Sequence, residues 1–280
     1  MATALSASST PPLLEVDNIT VHRGGVPVVR NVSLSVQQGE FVGIVGPNGG
    51  GKSTLLQSIL GLLACHQGTV RTMGHAPLSS PVRGRVAWVS QAAANLPSNV
   101  RLTVRELVRL GLSDHRTWFR PFNRDVQEVD GAIELVGLTE VADRDVSHLS
   151  GGQRQRAVIA RALVTKAEVL LLDEPLVGMD RASRNSLLRL LDGFCHDENK
   201  TIVMVSHDLA AIRQSAHRII YLEQTVRFDG PSSEFPSLEA LAELRGIEDV
   251  HDGHHHDHGE AHCNHDHGPS SVTVGIQEAE

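Results

Sequence analysis

The chain has 280 residues, of which 40% are hydrophobic, enough to bury a sizeable core in one large α/β domain with extra segments. Its formal net charge of −8 argues against nucleic acid as the main partner. No run of about 18 apolar residues offers a membrane-spanning helix, and the three scattered cysteines, Cys65, Cys195 and Cys263, suit a reducing compartment rather than a disulfide framework.

Residues 1–12 are rich in Ala, Ser and Thr without a basic or apolar stretch, and read as a short disordered lead rather than a signal peptide. Leu13–Val21 and Val28–Val36 alternate apolar and polar residues, predicting two half-buried strands around a turn at Gly24-Gly25. Phe41–Val45 is a short apolar run bounded by glycines, hence a buried strand. A helix is expected over Thr54–Leu63 and a strand over Arg85–Val89, leading to Gln91. From Ala92 to His148 the texture changes. Helices over Val104–Leu110 and Val126–Val136 are joined by polar loops holding Trp118 and Pro121, and read as a helical insertion.

Alternation then resumes. Helix Gly152–Val164, strand Val169–Asp173, helix Arg181–Phe194, strand Thr201–Ser206 and helix Leu209–Ser215 precede strands Arg218–Leu222 and Thr225–Phe228. A last short helix is expected over Ser237–Leu244, and from Glu248 onward apolar periodicity is lost, as in a disordered tail. The pattern predicts an α/β fold with a mainly parallel sheet covered on both faces.

Three motifs carry chemistry. Gly46-Pro-Asn-Gly-Gly-Gly-Lys-Ser53 fits the phosphate-loop pattern G-x-x-x-x-G-K-[ST], between an apolar strand and a helix. Around Pro47, the backbone N–H groups of Gly46, Asn48, Gly49, Gly50 and Gly51 can converge on phosphate oxygens at a helix start, with Thr54 following in the first turn. Lys52 would reach the β- and γ-phosphates and Ser53 would ligate Mg²⁺. Val169–Asp173, followed by Glu174, is an apolar strand ending in two carboxylates, where a doubly wound sheet lines its ligand crevice. Asp173 can hold Mg²⁺ through water, and Glu174 can orient or deprotonate an attacking water. Third, Leu149-Ser-Gly-Gly-Gln153 is a second Gly-rich loop that opens its own helix.

With that loop, the stretch from Leu13 to Gly230 resembles the nucleotide-binding subunit of ATP-binding-cassette (ABC) transporters. The resemblance implies a P-loop NTPase core with an N-terminal antiparallel β-subdomain and a helical subdomain over about 92–165, within a domain spanning 13–247. It implies a head-to-tail dimer trapping two ATP molecules, in which Ser150, Gly151 and Gly152, with Gln153 beside them, bind the γ-phosphate held by the partner's phosphate loop. By the same resemblance Gln91 touches Mg²⁺ and the attacking water, His207 contacts the γ-phosphate and Asp180 communicates across the dimer. Two positions depart from the family's usual pattern. His22 stands where an aromatic residue usually stacks on adenine, and Gly50 replaces the usual Ala or Ser.

The tail concentrates half of the 16 histidines. His251, His254, His255, His256, His258, His262, His265 and His267, with Cys263 and interleaved carboxylates, form a candidate Zn²⁺-binding tract. Cassettes of zinc and manganese importers resemble this chain in length and in the stretch from Gln91 to Leu110, and some end in His-rich tails. The expected function is therefore ATP hydrolysis powering a divalent-metal importer, with zinc favoured. The expected partners are a second cassette (a homodimer), an integral membrane permease and an extracytoplasmic metal-binding protein. The expected place is the cytoplasmic face of the membrane. The alternatives are a cassette for manganese, chelated iron or other cargo, a soluble cassette such as an iron–sulfur assembly factor, or a chain that chiefly stores metal.

Overall fold

The computed structural model describes residues 11–94, 101–112 and 122–236, the side chains of 122–125 excepted. Expectations for the lead, for Trp118 and Pro121, for the helix at 237–244 and for the histidine tail lie outside the described residues. By its contacts the chain divides into residues 1–236 and 237–280, and every described residue lies in the first unit.

The first sheet is antiparallel. Strand β1 (Leu14–Arg23) pairs with β2 (Val26–Val36) across the two-residue turn Gly24-Gly25. Alternation along β1 puts Leu14, Val16, Ile19 and Val21 in the interior, as its sequence requires. A third strand, β4 (Gln67–Thr72), pairs with the other edge of β1, with Val16 opposite Val70. No hydrophobic pattern announces it in the sequence, because Val70 is its one apolar residue and its first three positions are exposed. Strand pairing makes it a strand, not a hydrophobic pattern.

The second sheet holds six strands in the order β5-β6-β7-β3-β8-β9. These are β3 (Phe41–Val45), β5 (Val86–Val89), β6 (Val169–Asp173), β7 (Thr201–Val205), β8 (Arg218–Glu223) and β9 (Thr225–Pro231). All neighbours are parallel except β8 and β9. Every residue of β3, β6 and β7 is buried, because both faces of this sheet are covered, one of them by a helix together with the first sheet. Fully buried Phe41, Ile44, Leu55, Leu56, Leu170 and Leu171 belong to this core. Each such side chain contributes about 1.5–3 kcal/mol by leaving water.

Six α-helices are described: α1 (Lys52–Ile59), α2 (Val104–Arg109), α3 (Phe122–Leu135), α4 (Gly151–Leu163), α5 (Arg181–Glu198) and α6 (Leu209–Ser215). Helices α2, α3 and α4 pack on one another as the expected helical insertion. Arg105 holds it together on the surface by bonding Asp143 at 2.9 Å and also Asp130 of α3. Helix α5 runs past its expected end at Phe194 to Glu198, where Asn199 stops it in the left-handed conformation. Arg218, at the start of β8, ties the two sheets together: it donates to the Ser35 carbonyl of β2 at 2.8 Å and to Asp229 of β9.

The topology decides where chemistry can occur. Strands β3 and β6 are separated by β7, yet all three end at the same edge of the sheet. The phosphate loop follows β3, Asp173 ends β6 with Glu174 just after it, and His207 lies beyond the end of β7. Segments far apart in sequence therefore meet outside the carboxyl ends of parallel strands, where open α/β sheets bind ligands.

Candidate active site

A cleft of about 460 Å³ opens at that edge, lined by Asn48, Gly49, Gly50, Gly51, Lys52, Ser53 and Thr54 on one side and Gln91, Glu174 and His207 on the other. Val28 and Val177 complete the wall. Both valines were missed in the sequence, since neither belongs to a motif.

The phosphate loop is built by close approach. Gly46 has φ 152°, and a Cβ there would lie 2.0 Å from the Leu222 carbonyl oxygen, so no side chain is possible. The loop thereby stays pressed against β8, with Gln224 N–H donating to the Gly50 carbonyl at 2.9 Å. Lys52 curls back under it, its Nζ donating to the carbonyls of Gly46 and Pro47, both at 2.9 Å. Burial pushes the Lys52 ammonium below the usual lysine value, against the pull of Glu174 and Asp173.

Asp173 ends β6 beneath this loop and accepts a hydrogen bond from Ser53 Oγ at 3.1 Å. These two oxygens, with the Gln91 side chain on the same cleft, are the hard donors that Mg²⁺ prefers, so the residues present fit that ion. Burial pushes the Asp173 carboxyl above the usual carboxylate range, with the Ser53 hydrogen bond opposing. The charged form is thus disfavoured in the folded chain. A raised carboxyl pKa stabilises the fold only below the ordinary value and weakens it as pH rises through the shifted one. Asp173→Asn keeps an acceptor for Ser53. It is expected to raise the melting temperature of the nucleotide-free, metal-free protein at pH 7, with the gain shrinking as pH falls towards 4. Scanning calorimetry across that range checks this; equal melting temperatures at pH 7 would contradict it.

Glu174 is a bend in the chain. It has φ 52°, a strained left-handed conformation for a residue with a side chain. Its N–H bonds the Val205 carbonyl at 3.0 Å, which fixes it to the end of β7. Its Oε2 lies 2.7 Å from His207 Nδ1 and also accepts the His207 N–H at 3.3 Å. The Glu174 side chain is 10% exposed and the His207 ring 63%, so the carboxylate sits beneath an imidazole that faces the cleft. Asp208, the next residue, caps α6 by accepting from Ala211 N–H at 3.0 Å and pairs with Arg184 of α5. Arg184 had no signal in the sequence, because that pairing exists only once α5 and α6 pack.

Ser150, Gly151, Gly152 and Gln153 do not line the cleft. They open α4, where Ser150 Oγ accepts from Gln153 N–H at 3.2 Å and Gln153 Oε1 accepts from Ser150 N–H at 3.0 Å, a capping box. A Cβ on Gly152 would lie 2.8 Å from the Ser183 side chain, so this loop is packed against the start of α5. There Asp180 caps the helix, bonding Ser183 N–H at 2.9 Å and its hydroxyl at 2.6 Å. That pairing holds the Asp180 carboxyl below its usual range. Ser150, Gly151 and Asp180 are thus exposed side by side, outside the residues that line the cleft, with Gly152 buried beneath them. The His22 ring stacks on His66, with centroids 4.0 Å apart, and is not among the residues lining the cleft.

Residues 29–177 match the family model described as ABC transporter. The zinc uptake system ATP-binding protein ZurA of Listeria innocua is 36% identical over 245 residues, covering 85% of this chain and 95% of that protein. The manganese transport system ATP-binding protein MntB of Halalkalibacterium halodurans is 35% identical over 232 residues, covering 82% and 91%. Among solved structures, the dimeric ATP-binding cassette MJ0796 in a post-hydrolysis state bound to ADP and Pi superposes with a TM-score of 0.69 at 29% identity, covering 79% of this chain and all of that one. With a phosphate loop, paired carboxylates and a separate glycine-rich helix start all in place on this fold, the chain belongs to the ABC transporter family, as one of its ATP-binding and ATP-hydrolysing subunits.

Proposed function

We propose that this cassette hydrolyses ATP to drive a divalent-metal importer whose cargo is zinc. The observation that carries the catalytic part is the cleft itself, where Lys52, Ser53, Asp173, Glu174, Gln91 and His207 converge from four segments of the chain. The cargo reading rests on relatives named for zinc and manganese transport that are identical to this chain at over a third of the aligned positions.

In this reading the phosphate loop and Lys52 hold the phosphates of ATP. Ser53, Asp173 and Gln91 would hold Mg²⁺, which when bound would supply charge neutralisation at the phosphate oxygens. Water attacks the γ-phosphorus as Glu174 takes its proton, the bond to the β-phosphate oxygen breaks, and ADP and phosphate are left. His207 holds Glu174 from above and offers a contact to the γ-phosphate. A lone chain leaves Ser150, Gly151 and Gly152 without a ligand. A second copy set head to tail brings them to the opposite phosphate loop, and two-fold symmetry completes both sites. His22, buttressed by His66, stacks on the base. The Asp180 turn lies against the same helix start and carries the state of one site to the other.

Among the described residues no helix is long and apolar enough to cross a membrane, so an integral membrane permease supplies the pathway. The cassette sits on its cytoplasmic face, and an extracytoplasmic protein delivers the metal. The tail from 248, with its eight histidines and Cys263, binds Zn²⁺. Pulled from its native membranes, the chain is expected to bring down a polytopic membrane protein. That pair, reconstituted together with the delivery protein, is expected to take up radiolabelled zinc on ATP addition, several-fold faster than manganese. No co-purifying membrane protein, or manganese outrunning zinc, would overturn the zinc-importer reading.

A further inference from the structure

At the opposite end of the parallel strands from the cleft, three metal-ligating side chains converge. Asp192 and His196 lie one turn apart on α5 and so share a face. His217 immediately precedes β8. His196 Nε2 is 3.3 Å and His217 Nε2 is 3.9 Å from Asp192 Oδ1, and the two imidazole centroids are 5.2 Å apart. All three donor atoms fall within 4.8 Å of one another. The side chains are 43%, 63% and 38% exposed in the order Asp192, His196, His217, so a solvated ion can reach them.

We propose that Asp192, His196 and His217 form a site for a divalent transition-metal cation of the Zn²⁺ type, separate from the nucleotide cleft and from the histidine tail. Ligands on a tetrahedral ion with bonds of about 2.0–2.2 Å stand roughly 3.4 Å apart. One pair here already has that spacing, and the others need only small movements of exposed side chains. Two imidazoles with one carboxylate suit Zn²⁺, Co²⁺ or Ni²⁺ and are poor ligands for Mg²⁺ or Ca²⁺, which require oxygen cages. Neighbouring Cys195 adds no thiolate. It is buried, and burial together with the charge of Asp192 pushes its thiol up to about 12.

The site has a built-in consequence for the core. His217 Nδ1 accepts the Phe41 N–H at 3.1 Å, while His217 N–H donates to the Phe41 carbonyl at 2.9 Å. In a neutral ring that accepts at Nδ1, the proton resides on Nε2, facing Asp192. A cation bound at Nε2 displaces that proton, and the neutral ring then carries it on Nδ1, where it opposes the Phe41 N–H. Metal occupancy and the Phe41 hydrogen bond therefore exclude each other. Phe41 starts β3, the strand that feeds the phosphate loop, so the ion loosens the base of the strand on whose far end the nucleotide loop is carried.

The test uses the full chain with free Zn²⁺ held by a chelator buffer, so that the histidine tail cannot deplete it. Diethyl pyrocarbonate labelling with peptide-resolved mass spectrometry reads His196 and His217 separately from the tail. Zn²⁺ is expected to protect both rings with one midpoint and Mg²⁺ in excess neither. Asp192→Asn, an exposed and near-isosteric change, is expected to raise that midpoint about tenfold or more. Amide exchange at Phe41 is expected to accelerate on adding Zn²⁺ to the parent but not to the variant. Protection of one ring alone, an unchanged midpoint in the variant, or equal protection by Mg²⁺ would overturn the site. Joint protection with unaltered Phe41 exchange would overturn its coupling to β3.

Discussion

Glu174→Gln is expected to lower the rate of ATP hydrolysis by about 10²–10⁴-fold, the range lost when a positioned general base is removed, while ATP still binds. The change is close to isosteric. The amide oxygen of glutamine can still accept the His207 N–H that Glu174 Oε2 now accepts at 3.3 Å, so the bend at the end of β6 has the same support. The residue keeps the same backbone strain, since φ 52° disfavours glutamine as it does glutamate. What is lost is the basic oxygen that takes the proton of the attacking water. A protein that binds ATP but cannot cleave it should accumulate as a closed dimer, seen as a shift to twice the mass by size exclusion with light scattering. Hydrolysis at the parental rate would remove Glu174 from its role.

Lys52→Ala should fail differently, at the binding step as well as the chemical one. The ammonium is held ready by the Gly46 and Pro47 carbonyls, and it faces two carboxylates, Asp173 and Glu174. Removing it deletes the cation nearest the phosphates and leaves that pair to repel them. Loss of one such preorganised charge costs about 10²–10³-fold in turnover, and ATP affinity is expected to fall with it. Arginine does not substitute, because its planar fork cannot occupy the space of a point charge. Fluorescent-nucleotide titration beside steady-state turnover distinguishes the two variants: Glu174→Gln keeps affinity, whereas Lys52→Ala loses it. An affinity equal to the parent's in Lys52→Ala would contradict the phosphate-holding role.

Much of this molecule is legible from the chain itself. Strands β3, β6 and β7 announce themselves as unbroken apolar runs because both their faces are covered, and β1 and β2 alternate because one face is wet. Gly46-Pro-Asn-Gly-Gly-Gly-Lys-Ser53 is readable because a phosphate loop needs glycine where the backbone approaches another strand and a lysine at one fixed spacing. Strand β4 was unreadable because its existence depends on the edge of β1, and Val28 and Val177 because a cleft wall needs shape rather than a signature. His22 was legible by position, but the ring beside it was not. It is an imidazole where a base-stacking ring is usual, and the fold set a second imidazole, His66, against it.

Apart from β4, the order of the main strands and helices, the cassette family and the residue types of the nucleotide site were written in the chain, because local spacing encodes strand, loop and helix start directly. Which of those residues meet was settled by folding alone. Asp173 reaches Ser53 across an intervening strand, Glu174 reaches His207 from the end of a neighbouring one, and His217 reaches Asp192 at the other edge of the sheet. These contacts, at 3.1, 2.7 and 3.9 Å, join groups that lie far apart along the chain. The cause is parallel strand order, a long-range property: it is fixed by which buried runs lie side by side, and no short window of the sequence contains both partners.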